Sequence, residues 1–236
     1  MIPFSLPSGY DRIRRVNSFQ ELVSTPFTGS VNALCWERHL PGDFGAVVAQ
    51  LAGGEELATL DDERLLALPL GEAGRTAVAV LLEDLRLLRA QGLAPGLDCI
   101  QGYPRDDESE AVSTDVYSFH ADSATVPADT WLCTYHGAPS EGLRNDEAQR
   151  HVDIPATRAE LLKRYGGRDD ADFRVYLQEH CYDLHYAPLP QARPFSFGVG
   201  NLWRIAVEYP GNPVPPCIHR APANLPGRPP RLLLIS

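Results

Sequence analysis

Apolar residues at Val78, Leu81, Leu82, Leu85 and Leu88 recur at three- and four-residue steps, which predicts an amphipathic helix over 76–91 with Gly92 as its stop. A lone helix would leave that stripe wet, so it is expected to pack on the outside of a sheet. Residues 1–95 as a whole read as a mainly helical region packed on the core. From Thr114 the texture changes. Short β-like runs at 115–121, 130–136, 201–209, 217–220 and 231–236 are separated by Gly and Pro clusters. Two helical segments interrupt them. One begins near Thr157, where Thr157 and Glu160 have capping-box spacing ahead of Leu161 and Leu162, and stops at Gly166 and Gly167. The other covers 170–179, with Phe173, Tyr176 and Leu177 on one side. The expected fold is therefore α+β: a β-barrel or two-sheet core over 96–236 with a helical insertion near 157–179, and a polar, solvated loop between Pro104 and Ser113.

Composition narrows the functional classes. A chain of 236 residues with 44% apolar content buries a sizeable core without needing disulfides. Its 5 cysteines are odd in number and contain no CxxC, which favours free thiols in a reducing compartment, here the cytoplasm. Near the N-terminus, Arg12, Arg14 and Arg15 follow a short apolar stretch, the reverse of a signal peptide. No apolar run approaches the roughly 20 residues that span a bilayer, so no membrane partner is expected. The net charge of −10 opposes a phosphate backbone and argues against nucleic acid.

The chemistry concentrates in VYSFHADS. His120 and Asp122 are two apart on an expected strand, so their side chains leave on one face and can converge on one ion. His219, in VPPCIHRAP on a distant β-like run, brings a second imidazole. Two histidines and one carboxylate make a facial triad suited to iron(II), manganese or zinc, with open positions left for substrate and dioxygen. Arg231 opens the final strand beyond His219, where a guanidinium can grip a carboxylate bidentately.

This order, HxD, a long gap, His and then Arg, resembles the iron(II)/2-oxoglutarate oxygenases over roughly residues 114–236. The resemblance implies a double-stranded β-helix of the jelly-roll or cupin-like kind. It implies His120, Asp122 and His219 as ligands of Fe(II), Arg231 as the anchor of 2-oxoglutarate, and a hydroxylase-type reaction on a small molecule or peptide. Two residues after the arginine, where many members carry a hydroxyl, this chain has Leu233. The longer phrases TDVYSFHADS, TWLCTYHGAPSEGL, GVGNLWRIAVEYPG and PPCIHRAP also resemble a bacterial domain family of unknown function, which names no substrate.

Other residues carry milder expectations. Tyr135 and Thr134, one strand after the HxD, offer hydroxyls to a co-substrate carboxylate, with a structural tyrosine as the alternative. His136 is read as a loop-edge histidine, Asp153 of the second HxD as a helix-entry residue, and Arg220 as pointing away from His219. GAPSEG lacks nucleophile-elbow spacing, and no phosphate-cradling or dinucleotide motif is present. Two competitors remain: a non-enzymatic zinc protein using Cys133, His136, Cys181, His185 and Cys217, and a cupin-like dioxygenase or lyase that does without 2-oxoglutarate.

Overall fold

The computed structural model describes residues 4–51, 56–106, 111–223 and 227–236. In chain order the elements are β1 (Ile13–Val16), α1 (Phe19–Ser24), β2 (Ala33–Trp36), α2 (Phe44–Leu51), β3 (Leu57–Thr59), α3 (Asp62–Leu66), α4 (Glu72–Arg89), β4 (Gly96–Ile100), β5 (Phe119–His120), β6 (Asp129–His136) and β7 (Glu141–Leu143). There follow β8 (Ala148–Arg150), α5 (Pro155–Tyr165), α6 (Ala171–Glu179), β9 (His185–Pro188), β10 (Phe195–Ser196), β11 (Leu202–Ala206), β12 (Ile218–Arg220) and β13 (Arg231–Ile235). The strands form a seven-stranded sheet, β1-β2-β11-β6-β13-β4-β3, and a six-stranded sheet, β10-β7-β12-β5-β9-β8. The fold is α+β.

Alternation along the strands sorts side chains into two cores. On β6, Trp131, Cys133 and Tyr135 face the helices, and the α4 stripe of Val78, Leu81, Leu85 and Leu88 covers them together with Leu232 and Leu234 of β13. Leu132 faces the other way and meets Trp203, Ile205, Phe195, Phe197 and Cys217 between the sheets. A third, smaller cluster joins α5 and α6 through Leu161, Phe173 and Leu177 to Val152 and Tyr182.

The expected helix over 76–91 is α4, and the strand expected at 130–136 is β6 at the centre of the larger sheet. Three corrections stand beside them. The region 1–95 is not helical alone: beside its four helices, β1, β2 and β3 join the larger sheet, two of them pairing with β11 and β4. These strands are 3 or 4 residues long, too short for a two-residue period to emerge. The strand expected over 115–121 shrinks to Phe119 and His120. The capping box at Thr157 is unused, because α5 starts at Pro155 with its fixed φ; its stop at Gly166, at φ 73°, is as expected. In the polar run between Pro104 and Ser113, residues 107–110 lie outside the described residues.

One polar residue interrupts the α4 stripe. Asp84 takes two bonds of 2.8 Å from the Arg38 guanidinium and one of 2.6 Å from the Tyr135 hydroxyl, while Arg38 Nε donates to the Gly200 carbonyl at 2.9 Å. The ion pair is 8% and 4% exposed by side chain, so it is a buried, fully bonded strut between the helices and the sheet. Asp84→Ala strands the guanidinium and is expected to cost about 3–5 kcal/mol of unfolding free energy. Tyr135→Phe keeps the pair and should cost about 1.5–3 kcal/mol. Urea midpoints at unchanged m-value check both.

Candidate metal centre

β5 lies in the middle of the smaller sheet, between β12 and β9, and in register His120 stands opposite His219 on one side and His185 on the other. Three imidazoles thus form a row across three strands. Their neighbours fix the face: Phe119, Leu143 and Ile218 cluster on the outer side, so the histidines between them turn inward. Ring centroids are 4.6 Å apart for His120 and His219, and 5.6 Å for His120 and His185.

Asp122 follows β5 on backbone held from both sides. Ala121 N donates to Leu184 O at 2.9 Å, and Glu208 N donates to Asp122 O at 2.7 Å. Its carboxylate reaches between the two imidazoles: Oδ1 is 3.8 Å from His120 Nε2, and Oδ2 is 3.7 Å from His219 Nε2. One ligand atom from each of His120, Asp122 and His219 lies within 4.8 Å of the other two, a grouping able to hold a metal ion. The partners around it select the right protonation states. His120 Nδ1 meets the Ser118 carbonyl at 2.9 Å, and since a carbonyl only accepts, the proton sits there and the Nε2 lone pair is left for a cation. Thr130, reaching in from β6 of the facing sheet, donates to Asp122 Oδ2 at 2.5 Å.

Burial pushes the His120 imidazole down to about 4, with neighbouring His219 acting in the same direction. Burial works against the Asp122 charge, but His219, the Thr130 hydroxyl and His120 outweigh it and hold the carboxyl below its ordinary value. At neutral pH the group therefore presents a neutral His120 imidazole beside a carboxylate, the states that bind metal without first releasing a proton.

Arg231 sits at the start of β13, on the face opposite Leu232 and Leu234, and is 8% exposed. Its Nη2 donates to Ser140 Oγ at 3.0 Å, and its Nε is buried without an acceptor among the described residues. Burial pushes its basicity down, and the charges that oppose this are phenols, Tyr103 and Tyr117, with no carboxylate beside it among the described residues. The guanidinium opens on a cleft of about 340 Å³, open mouth included, walled by Ile100, Tyr103, Tyr117, Pro222 and Arg228. Tyr117 precedes His120 on the entry to β5 and Pro222 follows His219 on the exit from β12, so the strands that carry the histidines also wall the cleft.

The other expected site residues fall as follows. Thr134 is buried on β6 and its carbonyl accepts from Gly200 N at 2.8 Å. Tyr135 is a correction: it belongs to the helix-side core, bonded to Asp84 and stacked on Phe44, because adjacent strand residues cannot share a face. A bulge there, between the pairs Leu232 to His136 and Leu233 to Thr134, also turns His136 toward Gly45 of α2. Arg220 points outward as expected, bonded to Glu141 and lying over the Phe119 ring. The cysteines do not assemble. Cys133 and Cys99 lie in the helix-side core, Cys35 and Cys217 lie between the sheets, and Cys181 is exposed. Burial keeps the Cys133 and Cys217 thiols up at about 12, protonated and poor ligands. Sequence reasoning missed Thr130, Ser140 and the pairing of His185 with His120; none carries a spacing signal, because each contact depends on which strands pair or pack.

Comparison of the chain with protein-family models, with curated proteins and with solved structures gave no match.

Replacing His120, Asp122 or His219 by Ala is expected to abolish stoichiometric binding of iron(II) or manganese(II) with the fold kept, as each removes one of three ligands. Retained one-to-one binding in two of the three variants, read by anaerobic calorimetry, dismisses the triad. Thr130→Val, which only frees the carboxylate to swing, should weaken binding about tenfold to a hundredfold.

Proposed function

We propose that the protein is an iron(II)- and 2-oxoglutarate-dependent oxygenase of the hydroxylase type, acting on a small molecule or peptide, with a double-stranded β-helix as its core. The observation that carries this is the pairing of two seats: a cluster of two imidazoles and a carboxylate, and a buried guanidinium with no acidic partner among the described residues. A cationic side chain left unpaired in the interior costs several kcal/mol, which an anionic ligand offsets.

The strand path supports the fold assignment. From β4 the chain passes to β5, β6 and β7, alternating between the two sheets, and after the detour through β8 and β9 it alternates again through β10, β11, β12 and β13. Such alternation between two sheets is what a double-stranded β-helix requires, and it supports that reading.

The donor set fits iron(II): two nitrogens and one oxygen on one side, with the remaining positions free. Iron(II), if held by His120, Asp122 and His219, would supply the dioxygen chemistry that attack on a C–H bond requires. The chain's own residues do the placing. Thr130 fixes the carboxylate, the Ser118 carbonyl orients His120, and Phe197 packs beside His219 with centroids 6.3 Å apart, walling its ring from water. Arg231 receives the distal carboxylate of the co-substrate on a rigid strand, so its charge is presented without reorganisation. Tyr103, Tyr117 and Pro222 give the acid an apolar wall.

The test is anaerobic titration of iron(II) with and without 2-oxoglutarate, watching for the visible charge-transfer band that chelation produces. Arg231→Ala should leave metal binding intact and weaken 2-oxoglutarate roughly tenfold to over a hundredfold, from about 1.5–3 kcal/mol for charged hydrogen bonds. Arg231→Lys should recover part of it, an ammonium lacking the planar fork. No band and no 2-oxoglutarate binding in the unaltered protein removes this co-substrate and leaves Arg231 to anchor the substrate of a cupin-like metalloenzyme.

A further inference from the structure

Strand register puts His185 beside His120, so a row of imidazoles runs His219, His120, His185 across β12, β5 and β9. All three share one local arrangement. Nδ1 lies against a backbone carbonyl in each: Ser118 O at 2.9 Å for His120, Cys217 O at 3.4 Å for His219 and Cys181 O at 2.8 Å for His185. A carbonyl only accepts, so each Nδ1 carries the proton and each Nε2, at the tip of its ring, offers a lone pair. Imidazoles that serve a cation are prepared in this way. Yet the grouping able to hold one, among the described residues, is His120, Asp122 and His219, without His185. His185 is 5% exposed, and a buried imidazole with an unused acceptor calls for a physical reason.

Its strand comes from outside the alternation of the two sheets. β8 and β9 form the detour in the chain path, and β9 covers the edge of β5 that β12 leaves free, with Ala121 N donating to Leu184 O at 2.9 Å. The Cys181 carbonyl in turn accepts from Leu184 N at 3.1 Å and from the His185 ring. One turn therefore fixes both the third imidazole and the backbone between His120 and Asp122. With His219 on one side of His120 and His185 on the other, a cation held by the triad has His185 on the flank where no protein ligand stands.

We propose that His185 is a positioning residue of this centre: its Nε2 accepts the hydrogen bond of a water that the cation holds on the β9 side, and so orients whatever occupies that position. The inference rests on the triad as a metal seat, not on the choice of 2-oxoglutarate. A cation makes its water more acidic and hence a stronger donor, and a contact bridged by water is nearly as favourable as a direct one. An apolar ring of the same size would fill the space without accepting, and that difference is what can be measured.

The experiment uses the full chain with manganese(II) as the probe. His185→Phe keeps a ring and loses both nitrogens; His185→Gln returns an acceptor near the Nε2 position. In the metal-free protein at neutral pH, the His185 ring nitrogen resonances, assigned by their loss in His185→Gln, are expected to show the proton on Nδ1 and none on Nε2. A proton on Nε2, donated to the neighbouring Thr114 backbone, overturns the proposal whatever the metal does. In the manganese-loaded protein, relaxation of the water oxygen nuclei reads how fast the bound water exchanges. Exchange should quicken about tenfold in His185→Phe and return part of the way in His185→Gln, with manganese affinity falling by no more than about tenfold. Unchanged exchange in His185→Phe reduces the ring to filler, and loss of stoichiometric binding there makes His185 a direct ligand; either result overturns the proposal. If the unaltered protein binds no manganese, the triad and this inference fall together. If it binds manganese but never 2-oxoglutarate, the oxygenase assignment fails and the role of His185 stands.

Discussion

The register of β12 decides whether there is a site at all. A strand has period two, so a slip of one residue would carry His219 to the outer face and bring Ile218 or Arg220 inward, an apolar or cationic group facing Asp122. Three features hold the register. On the outer face, Ile218 packs with Leu143 and Phe119, and Arg220 pairs with Glu141 while lying over the Phe119 ring. On the inner face, His219 stands opposite Gly142, where a Cβ would come within 2.2 Å of the Phe195 ring and 2.7 Å of Phe197. Only glycine leaves room for the aromatic pair that fills the space beside the histidine. The outer ion pair is part-exposed and contributes modestly; the steric demand at Gly142 and the burial of Ile218 set the alignment.

Two buried guanidiniums in this chain show opposite solutions to one electrostatic problem. Arg38 is matched on both nitrogens of its fork by Asp84 and on Nε by a backbone carbonyl, so the charge is neutralised inside the protein and the group serves only to fasten α4 to the sheet. Arg231 has a neutral hydroxyl on one nitrogen and, among the described residues, nothing on Nε. The stability that its burial costs is recoverable on binding an anion. The triad follows the same logic with the sign reversed, since a carboxylate brought together with imidazole nitrogens is stabilised by a cation.

How much of this was legible in the sequence follows from which interactions are local. The α4 stripe repeats at helical spacing and announced itself, as did the apolar run of β6 and the HxD spacing of His120 and Asp122. The distal His219 and Arg231 could be matched in order but not in space, since their convergence depends on the pairing of β12 with β5 and of β13 with β6. The strands of the first 95 residues were missed because they are too short to show alternation between helices that dominate the pattern. Tyr135 was misplaced because one side of β6 faces a helix layer and the other the second sheet, so both its faces are apolar and the burial run does not tell them apart. Ser140 and Thr130 are ordinary hydroxyl residues in sequence; only the packing of one sheet on the other gives them a partner.

The arrangement of the two seats constrains what a ligand can be. β5 runs from the Tyr117 side through His120 toward Asp122, and antiparallel β12 runs from His219 back toward Pro222. Tyr117 and Pro222 are therefore at one end of this strand pair, where the Arg231 cleft opens, and Asp122 is at the other. The triad and the Arg231 cleft thus lie at different heights along the same two strands. The Asp122 end of the strand pair is the open one, since the carboxylate's side chain is 32% exposed there.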